Sequence, residues 1–334
     1  MKILFLIPSG EQRSQARFRV LPFVKHGKRL GLDIDCREIP QGFYQRYTFF
    51  SRLPHVDVLV VHRELLSFFG LSILRNMANT LVYDIGDASW TKPARELKPF
   101  WSGITASTLA RRFERFCRTA DRCLVDNRAQ ADRMREHKKQ LHILPTPVDV
   151  ERYTPGTGGK EGGTVLVGWM GDLGDEPLLG DVMDRLAPHG GDIQFSIVSP
   201  TPYEGAGQKY VLWSTPSWES EPVQLQAMDI GLVPMVDDYY TRSGSNMEVL
   251  RFMASGVPVV ASDVGRNAEV IDHGVDGYLV RDPEDWSRYV MRLAEDPELR
   301  QRMAEAARSK VVEKYGLDKT AMLLWQILKV YKPY

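Results

Sequence analysis

The sequence lacks the features that mark membrane-spanning, disulfide-bonded and nucleic-acid-binding proteins. No apolar run approaches the roughly 20 residues that a membrane-spanning helix needs. Lysine plus arginine equals aspartate plus glutamate at 43 each, so net charge gives no support to a nucleic-acid partner. The cysteines Cys36, Cys117 and Cys123 have no metal-binding spacing and suit buried packing in a reducing compartment. We therefore expect a cytoplasmic globular protein that holds no metal.

The chain also lacks the G-x-G-x-x-G loop of dinucleotide-binding proteins after its first predicted strand. Residues 1–8 predict a buried strand, Ser9-Gly10 opens a loop, and a helix ending near Gly31 leads to a second strand. This order predicts a parallel sheet with a crevice at the carboxyl end of the first strand. With 334 residues the chain is long enough for two such domains.

The stretch from Asp229 to Gly265 carries the clearest pattern in the chain. Apolar runs at 230–234 and 257–261 each predict a buried strand, and a polar loop follows the first of them. A helix is predicted next, because apolar residues recur at i, i+3, i+6 and i+7, namely Met247, Leu250, Met253 and Ala254. Ser245 or Asn246 can cap this helix by accepting hydrogen bonds from its first amides. The helix would begin where the strands end, which favours an anion there.

This stretch resembles the nucleotide-sugar-binding element of GT-B-fold glycosyltransferases, in particular the retaining group usually called family 4. The resemblance rests on Phe252-Met-Ala-Ser-Gly-Val-Pro-Val-Val-Ala-Ser262 followed by Val264-Gly265, and it continues through residues 269–300. It implies an α/β protein of the GT-B class, with two doubly wound Rossmann-like domains and a cleft between them.

The same element departs from the family pattern at three positions. The family has two acidic residues eight apart where this chain has Ser243 and Arg251, and a lysine where it has Glu248. Glu248 and Arg251 stand at i, i+3 and can pair on the helix. Three readings stay open: a surface pair, an unusual donor that Arg251 contacts, or a protein that has lost the donor site.

The first predicted domain has charged residues at its strand ends. The strand at 56–61 leads into His62-Arg63-Glu64, and the strand at 81–84 leads into Ile85-Gly-Asp-Ala88. Both resemble the family's "QRE" and "YDIDDA" runs, with Asp84 and Asp87 in matching places. A carboxylate there can accept from sugar hydroxyls, and the alternative for Asp87 is a cap on the next segment. Arg17 and Arg19 match a family "R-x-R", or are two solvated arginines.

The resemblance also implies the domain boundaries. We expect an N-terminal acceptor-side domain at 1–155, a Gly-rich linker at 156–163, a nucleotide-sugar-binding domain at 164–314, and a tail at 315–334 that crosses back to the first domain. Gly168-Trp-Met-Gly171 resembles the family's "GWxG" loop, although Asp172 follows where the family commonly has a basic residue.

Two segments combine aromatic or apolar residues with arginines. Residues 43–53, FYQRYTFFSRL, suit a membrane interface or an amphiphilic acceptor, or form an ordinary helix with its aromatics turned inward. Residues 104–121 predict a basic amphipathic helix, which suits anionic lipid or is simply solvated. Peripheral contact with the inner face of a membrane through both segments is therefore an expectation.

By resemblance, the protein is a glycosyltransferase of glycan biosynthesis that moves a sugar from a nucleoside-diphosphate sugar to a hydroxyl acceptor with retention. We expect no cofactor beyond this co-substrate and no metal, since Asp237-Asp238 reads as a solvated pair; the acceptor is a glycan, a lipid-linked compound or a small molecule. The alternative is a catalytically inactive partner or scaffold. The expected catalytic residues are Asp87, Arg242 and Arg251. The expected donor contacts are Gly10, Gly171, Asp172, Ser199, Ser243, Gly244, Ser245, Asn246 and Glu248. The expected acceptor-side residues are Arg17, Arg19, His62, Arg63 and Asp84.

Overall fold

The computed structural model describes residues 1–10, 13–86, 102–135, 140–156, 164–171 and 176–329. Its contacts divide the chain into two units. Unit 1 comprises Met1–Pro147, Asp238–Ser245 and Leu317–Tyr334, and unit 2 comprises Val148–Asp237 and Asn246–Gly316. Asp87, Asp172 and most of the predicted linker lie outside the described residues.

Unit 1 contains a six-stranded parallel sheet in the order β2-β1-β3-β4-β5-β6. Its strands are β1 (Lys2–Pro8), β2 (Asp33–Ile39), β3 (Val56–His62), β4 (Ala78–Asp84), β5 (Arg122–Val125) and β6 (Leu141–Ile143). Its helices are α1 (Arg13–Arg19), α2 (Leu21–Arg29), α3 (Phe43–Ser51), α4 (Phe68–Asn76), α5 (Ser102–Thr119), α6 (Arg128–Met134), α9 (Tyr239–Arg242) and α14 (Leu317–Ile327).

Both faces of the first sheet are buried, which explains why its central strands are apolar throughout. Along β1, Leu4 and Leu6 pack into one core cluster and Ile3 and Phe5 into another, because successive side chains point to opposite faces. Helix α14 completes the second cluster with the buried Trp325. The last described helix of the chain therefore packs on the same unit as the first strand.

Unit 2 contains a second six-stranded parallel sheet, in the order β12-β11-β10-β7-β8-β9. Its strands are β7 (Val165–Met170), β8 (Ile193–Val198), β9 (Val211–Ser214), β10 (Ile230–Val233), β11 (Val259–Ser262) and β12 (Gly277–Val280). Its helices are α7 (Glu176–Leu186), α8 (Glu221–Ala227), α10 (Met247–Ala254), α11 (Asn267–Val270), α12 (Asp285–Glu295) and α13 (Pro297–Tyr315).

Residues 148–155, which the sequence analysis assigns to the first domain, group with unit 2 in the structure. The Val148 amide donates to the Tyr315 carbonyl at 2.8 Å, and the Arg308 guanidinium donates to the Val150 carbonyl at 2.8 Å. These contacts fasten the segment to α13, a helix that the local sequence pattern around residue 150 could not reveal.

The fold positions two regions that matter below. In each sheet the strand order reverses direction once, between β1 and β3 in unit 1 and between β7 and β10 in unit 2. Ligands of open α/β sheets bind outside the carboxyl ends of the strands at such a reversal. Among the described helices, none is long and apolar enough to cross a membrane.

Candidate functional site

The reversal in the second sheet brings the ends of β7 and β10 side by side. Gly171 directly follows β7, and its amide donates to the Val198 carbonyl at 3.1 Å. A Cβ at position 171 would lie 2.5 Å from the Trp169 ring, so the glycine is already required by the packing of that tryptophan. The predicted donor contact at Gly171 stays a prediction, and the structure adds a packing reason for the residue.

Ser199 closes the neighbouring strand β8 and is fully buried. Its hydroxyl donates to the Thr201 carbonyl at 2.6 Å and lies 3.2 Å from the Trp213 indole nitrogen, which donates to it. These bonds fix the turn that follows β8. Ser199 thus lies at the carboxyl edge expected of a donor contact, with its hydroxyl engaged in local structure.

Helix α10 begins at this edge with Asn246, which adopts a left-handed backbone conformation with φ at 52°. The predicted cap by Asn246 does not form: its side chain makes no hydrogen bond to the first amides of α10 and instead donates to the side-chain oxygen of Asn267. Asn246 is buried, and its own side-chain oxygen lacks a hydrogen-bond partner within the described residues. The first-turn amides of α10 are consequently left without a side-chain cap, as an anion site requires.

The residues just before Asn246 belong to unit 1. The Gln130 side chain donates to the Ser243 carbonyl at 2.7 Å, and the Asn127 side chain donates to the Gly244 carbonyl at 3.0 Å. Ser243 is buried, and its hydroxyl has no hydrogen-bond partner in the described chain. Residues 243–244, which the sequence predicts as part of a polar loop, are therefore held in place by α6 and by Asn127, the N-cap residue of that helix.

The two other residues singled out in this loop differ in exposure. Arg242 ends the short helix α9 and is exposed, whereas Ser245 is half-buried. The Asp238 carboxylate accepts from the Thr241 amide at 2.8 Å, which makes it a cap for α9. Asp238 accordingly has a structural role at the start of α9.

Arg251 has a closer partner than the sequence pattern indicates. Its guanidinium lies 2.9 Å from the Glu221 carboxylate on α8 and 3.5 Å from the exposed Glu248 carboxylate. It also donates to the Met247 carbonyl at 3.2 Å, and the residue is only 8% exposed. The predicted pair with Glu248 is present, but the shorter contact with Glu221 makes Arg251 part of a buried ion pair.

The same carboxylate binds Tyr153. The Tyr153 hydroxyl donates to Glu221, and burial next to this carboxylate raises the pKa of Tyr153 to about 12. Burial alone would lower the pKa of Arg251, but the charges of Glu221 and Glu248 outweigh that effect and raise it. Tyr153, Glu221 and Arg251 thus form a buried network that fixes α8 against α10, in which Tyr153 is neutral and Arg251 is charged at neutral pH.

In the first sheet, the reversal lies between β1, which Gly10 follows, and β3, which ends at His62. Gly10 has φ at 74° and follows the end of β1, while His62 is the last residue of β3 and only 1% exposed. Arg63 comes next, half-buried, with φ at 59°. Arg17 is exposed on α1 and lies apart from the buried cluster described next.

Arg19 lies in the interior of unit 1, which excludes its reading as a solvated arginine. Its guanidinium donates to Asp84 at 2.8 Å and to Asp126 at 2.8 Å. It also donates to the Leu144 carbonyl and to the Thr146 hydroxyl, each at 3.0 Å. A single buried arginine therefore connects α1 with the carboxyl ends of β4, β5 and β6.

Two carboxylates share this arginine, and both are buried. Burial alone would raise the pKa of Asp84, but Arg19 and His62 hold it well below its usual range. Burial alone would lower the pKa of Arg19, and the charges of Asp84 and Asp126 raise it instead. Arg19 and Asp84 are therefore ionised at neutral pH, and the one guanidinium contacts both carboxylates.

His62 is held by the same network. Its Nδ1 lies 2.6 Å from Asp84, so the ring donates from this nitrogen to the carboxylate. Its Nε2 is buried and has no hydrogen-bond partner in the part of the chain that the structure describes. A Cβ on Gly86 would lie 2.9 Å from the ring, so the backbone after β4 can pass this close only as glycine. Neutral His62 therefore presents a hydrogen-bond acceptor at the sheet reversal.

We expect His62 to make the stability of the protein fall on mild acidification. Burial lowers the pKa of His62, with Arg19 and Arg63 acting in the same direction against Asp84. Unfolding frees the ring to bind a proton below about pH 6.5, so its contribution is complete above that pH and is lost as pH falls toward the lowered value. The slope reaches at most about 1.4 kcal/mol per pH unit for one proton.

Thermal unfolding of wild type and His62→Gln between pH 7.5 and 5 tests this expectation. The variant should show a flatter pH profile, and the exposed His55→Gln should retain the wild-type profile. Parallel profiles for wild type and His62→Gln would contradict the assignment of a lowered pKa to His62.

The sequence analysis did not select Asp126, Thr146, Tyr153 or Glu221. Asp126 directly follows β5 and Asp84 is the last residue of β4, and this position at a strand end is a signal that would have identified Asp126. Thr146 and Tyr153 lie in a proline-containing exit segment with no periodicity, and Glu221 belongs to a short helix. Their contacts depend on partners that are distant in sequence.

Residues 174–296 match the family model of glycosyl transferases group 1. D-inositol 3-phosphate glycosyltransferase from Corynebacterium urealyticum is 24% identical over 249 residues, 64% of this chain and 57% of that protein. N-acetyl-alpha-D-glucosaminyl L-malate synthase from Bacillus anthracis is 40% identical over 73 residues, 21% of this chain and 19% of that protein. The matches thus span about a fifth to just over half of these relatives.

Two solved structures align over nearly the whole chain. Sucrose-phosphate synthase from Thermosynechococcus elongatus gives a TM-score of 0.72 at 14% identity and covers 99% of both chains. HepE from Anabaena in complex with UDP gives a TM-score of 0.69 at 14% identity, with 99% of this chain and 100% of HepE covered. At 14% sequence identity, this structural similarity shows a shared fold.

The class of the protein follows from these results: it has the GT-B fold, with a parallel six-stranded sheet and flanking helices in each unit. The match of residues 174–296 to the model of glycosyl transferases group 1 confirms the resemblance to that group found in the sequence.

Proposed function

We propose that the protein is a glycosyltransferase that moves a sugar from a nucleoside-diphosphate sugar to a hydroxyl acceptor, with retention and without a metal. The observation that carries the proposal is the start of α10 at the reversal of the second sheet. There, the first-turn amides have no side-chain cap, and the buried side-chain oxygen of Asn246 has no hydrogen-bond partner in the described chain. A diphosphate suits free amides, and the Asn246 oxygen can accept from a donor hydroxyl.

The chemistry then depends on electrostatics rather than on a covalent intermediate. The leaving diphosphate gains negative charge, which the dipole and amides of α10 stabilise. A phosphate oxygen of the donor takes the proton of the acceptor hydroxyl on the face that the diphosphate leaves. Gly171 and Ser199 lie at the same edge of the sheet as proposed donor contacts. Arg242, Ser243, Gly244 and Ser245 precede Asn246 and stay predicted contacts.

On unit 1, we assign the acceptor hydroxyl to His62. Its Nε2 can accept a hydrogen bond, because Asp84 fixes the tautomer that carries the proton on Nδ1. An acceptor atom left buried without a donor costs about 1–3 kcal/mol, and a bound hydroxyl would remove this cost. Arg63 follows His62 along the chain, and Asp87 stays a predicted contact.

We further propose that the protein works in the cytoplasm and contacts a membrane surface through residues 43–53 and 104–121. Arg111, Arg112, Arg115 and Arg118 are exposed along α5, which suits anionic headgroups. Three aromatic residues of α3, Phe43, Tyr44 and Tyr47, are exposed as well. The predicted inward packing of that helix holds for Phe50, which is buried.

A non-catalytic GT-B protein is the second candidate, and one observation favours it. Where the family has an acidic residue, this chain has Arg251, and its guanidinium is committed to Glu221 at 2.9 Å. Arg251 therefore offers no carboxylate to a donor ribose. The glycosyltransferase proposal requires other groups, such as Asn246, to bind that part of the nucleotide.

A thermal-shift panel of UDP, GDP and dTDP distinguishes the two candidates. Because UDP is bound in the HepE structure, it is the first nucleotide to test. A nucleotide at 100 times its dissociation constant should add about 2.7 kcal/mol to the free energy of unfolding, and the shift should persist in EDTA. No shift by any nucleotide at millimolar concentration would support the non-catalytic candidate, and a shift lost in EDTA would overturn metal independence.

A further inference from the structure

Unit 1 contains an apolar pocket between α3 and α4, with a volume of about 280 Å³. Its walls include Phe43, Tyr47, Phe50, Leu66, Phe69 and Ile73. The aromatic and aliphatic part of the wall cannot replace the hydrogen bonds that a sugar makes to water, and the polar lining groups include Arg46, Ser67 and Arg112. The volume lies near the lower end of small-ligand sites, which suits a single aliphatic chain.

Exposed aromatic side chains surround this pocket, which we call the aromatic pocket. Phe43 is 79% exposed, Phe69 71% and Tyr47 57%. Tyr44 and Phe68 beside them are 77% and 60% exposed. Isolated exposed apolar residues are ordinary, but three that line one cavity, with two more next to them in sequence, indicate a surface that receives a ligand or partner.

The charged residues that line the aromatic pocket are arginines, and they differ in the ion pairs and hydrogen bonds that they make. Arg46 is paired with Glu64 at 2.7 Å and donates to the Pro40 carbonyl at 2.9 Å. Arg112 also lines the pocket, is exposed, and makes no ion pair or hydrogen bond within the described residues. Arg115 lies over the Phe68 ring at 5.5 Å. The pocket therefore offers a cationic group, Arg112, next to an apolar wall.

We propose that the aromatic pocket binds the aliphatic chain of an anionic amphiphile, whose phosphate or carboxylate head contacts Arg112. The charge and the apolar lining favour this ligand over a neutral glycan or a second protein chain. The role of this amphiphile as the sugar acceptor rests on the proposed glycosyl transfer. Its binding does not, because every residue that lines the pocket belongs to unit 1, whereas α10 belongs to unit 2.

Calorimetry with dodecyl phosphate, used below its micelle-forming concentration, tests the proposal, with dodecyl maltoside as the uncharged probe of equal chain length. Dodecyl phosphate should bind the wild-type protein more tightly than the maltoside does. Arg112→Ala should weaken dodecyl phosphate by about tenfold and leave dodecyl maltoside unchanged, because it removes one charge-assisted contact. Phe69→Ala should weaken both by about tenfold, because it removes apolar contact area.

Arg118→Ala is the matched control, since Arg118 is exposed on the same helix and does not line the pocket. An equal loss of dodecyl phosphate affinity in Arg118→Ala would show that general surface charge causes the effect, and it would overturn the proposal. Binding to phosphatidylglycerol vesicles without binding of dodecyl phosphate would assign the aromatics to a bilayer contact instead. A dimer that Phe69→Ala dissociates would assign them to a subunit interface.

The nucleotide panel separates this proposal from the proposed function. If dodecyl phosphate binds and no nucleotide produces a thermal shift, the protein is an amphiphile-binding GT-B protein without transfer activity. A nucleotide shift without dodecyl phosphate binding would leave the transferase and overturn the pocket.

Discussion

Replacing Arg19 with methionine should lower the free energy of unfolding by about 3–5 kcal/mol, because it leaves the buried carboxylates of Asp84 and Asp126 without their cation. Arg19→Lys should also destabilise the protein, since an ammonium cannot reproduce the forked contacts of the guanidinium. Arg17→Met, exposed on the same helix, should change stability by less than about 0.5 kcal/mol.

Hydrogen exchange under native conditions measures this effect, because it reports the opening free energy of each segment separately. Faster exchange is expected in the peptides that contain β4 and β5. A loss below about 1 kcal/mol in Arg19→Met would show that the network contributes little, and the reading of Arg19 as a structural residue would fail.

The ion pair between Glu221 and Arg251 should give the second large effect. Arg251→Met leaves Glu221 buried and unpaired, at a cost of about 3–5 kcal/mol, and Glu221→Leu alone should cost a similar amount. The double variant should recover much of the loss, because two apolar side chains can replace a buried pair without leaving a charge.

Urea unfolding of the four proteins measures the coupling between the two residues. Glu248→Gln is the control: its carboxylate lies 3.5 Å from Arg251 and is exposed, so its removal should cost less than about 0.5 kcal/mol. Strictly additive losses in the double variant would show that the contact in the structure carries no energy. Nucleotide affinity should change less than threefold in Arg251→Met if this arginine serves α8 and α10 alone.

These two arginines also show where sequence reasoning ends. The periodicity and punctuation of residues 229–265 predicted the β10–α10–β11 order, because apolar spacing and a glycine stop act locally. The Glu248–Arg251 contact was predicted for the same reason, since i, i+3 neighbours need only a helix. Glu221 lies 30 positions before Arg251, and only the folded sheet brings the two together.

Local signals failed in the same way at other positions. A short side chain before α10 predicts a cap, but Asn246 instead donates to Asn267, a residue on another helix. Arg17 and Arg19 are equivalent in a sequence motif, although one is exposed and the other lies between three strand ends. Strands β9 and β12 are too short to show a recognisable alternation in the sequence. Each forms by parallel pairing with a neighbouring strand, β8 and β11 respectively.

The central claim is that a nucleoside diphosphate binds at the reversal of the second sheet. Hydrogen-exchange mass spectrometry with saturating UDP, or with the nucleotide that gives the largest thermal shift, tests it most directly. The account predicts slower exchange in the first turn of α10, from Met247 to Val249, and in the peptide that ends β7 at Gly171. Protection confined to unit 1, or no protection in α10 at a saturating nucleotide concentration, would contradict the account.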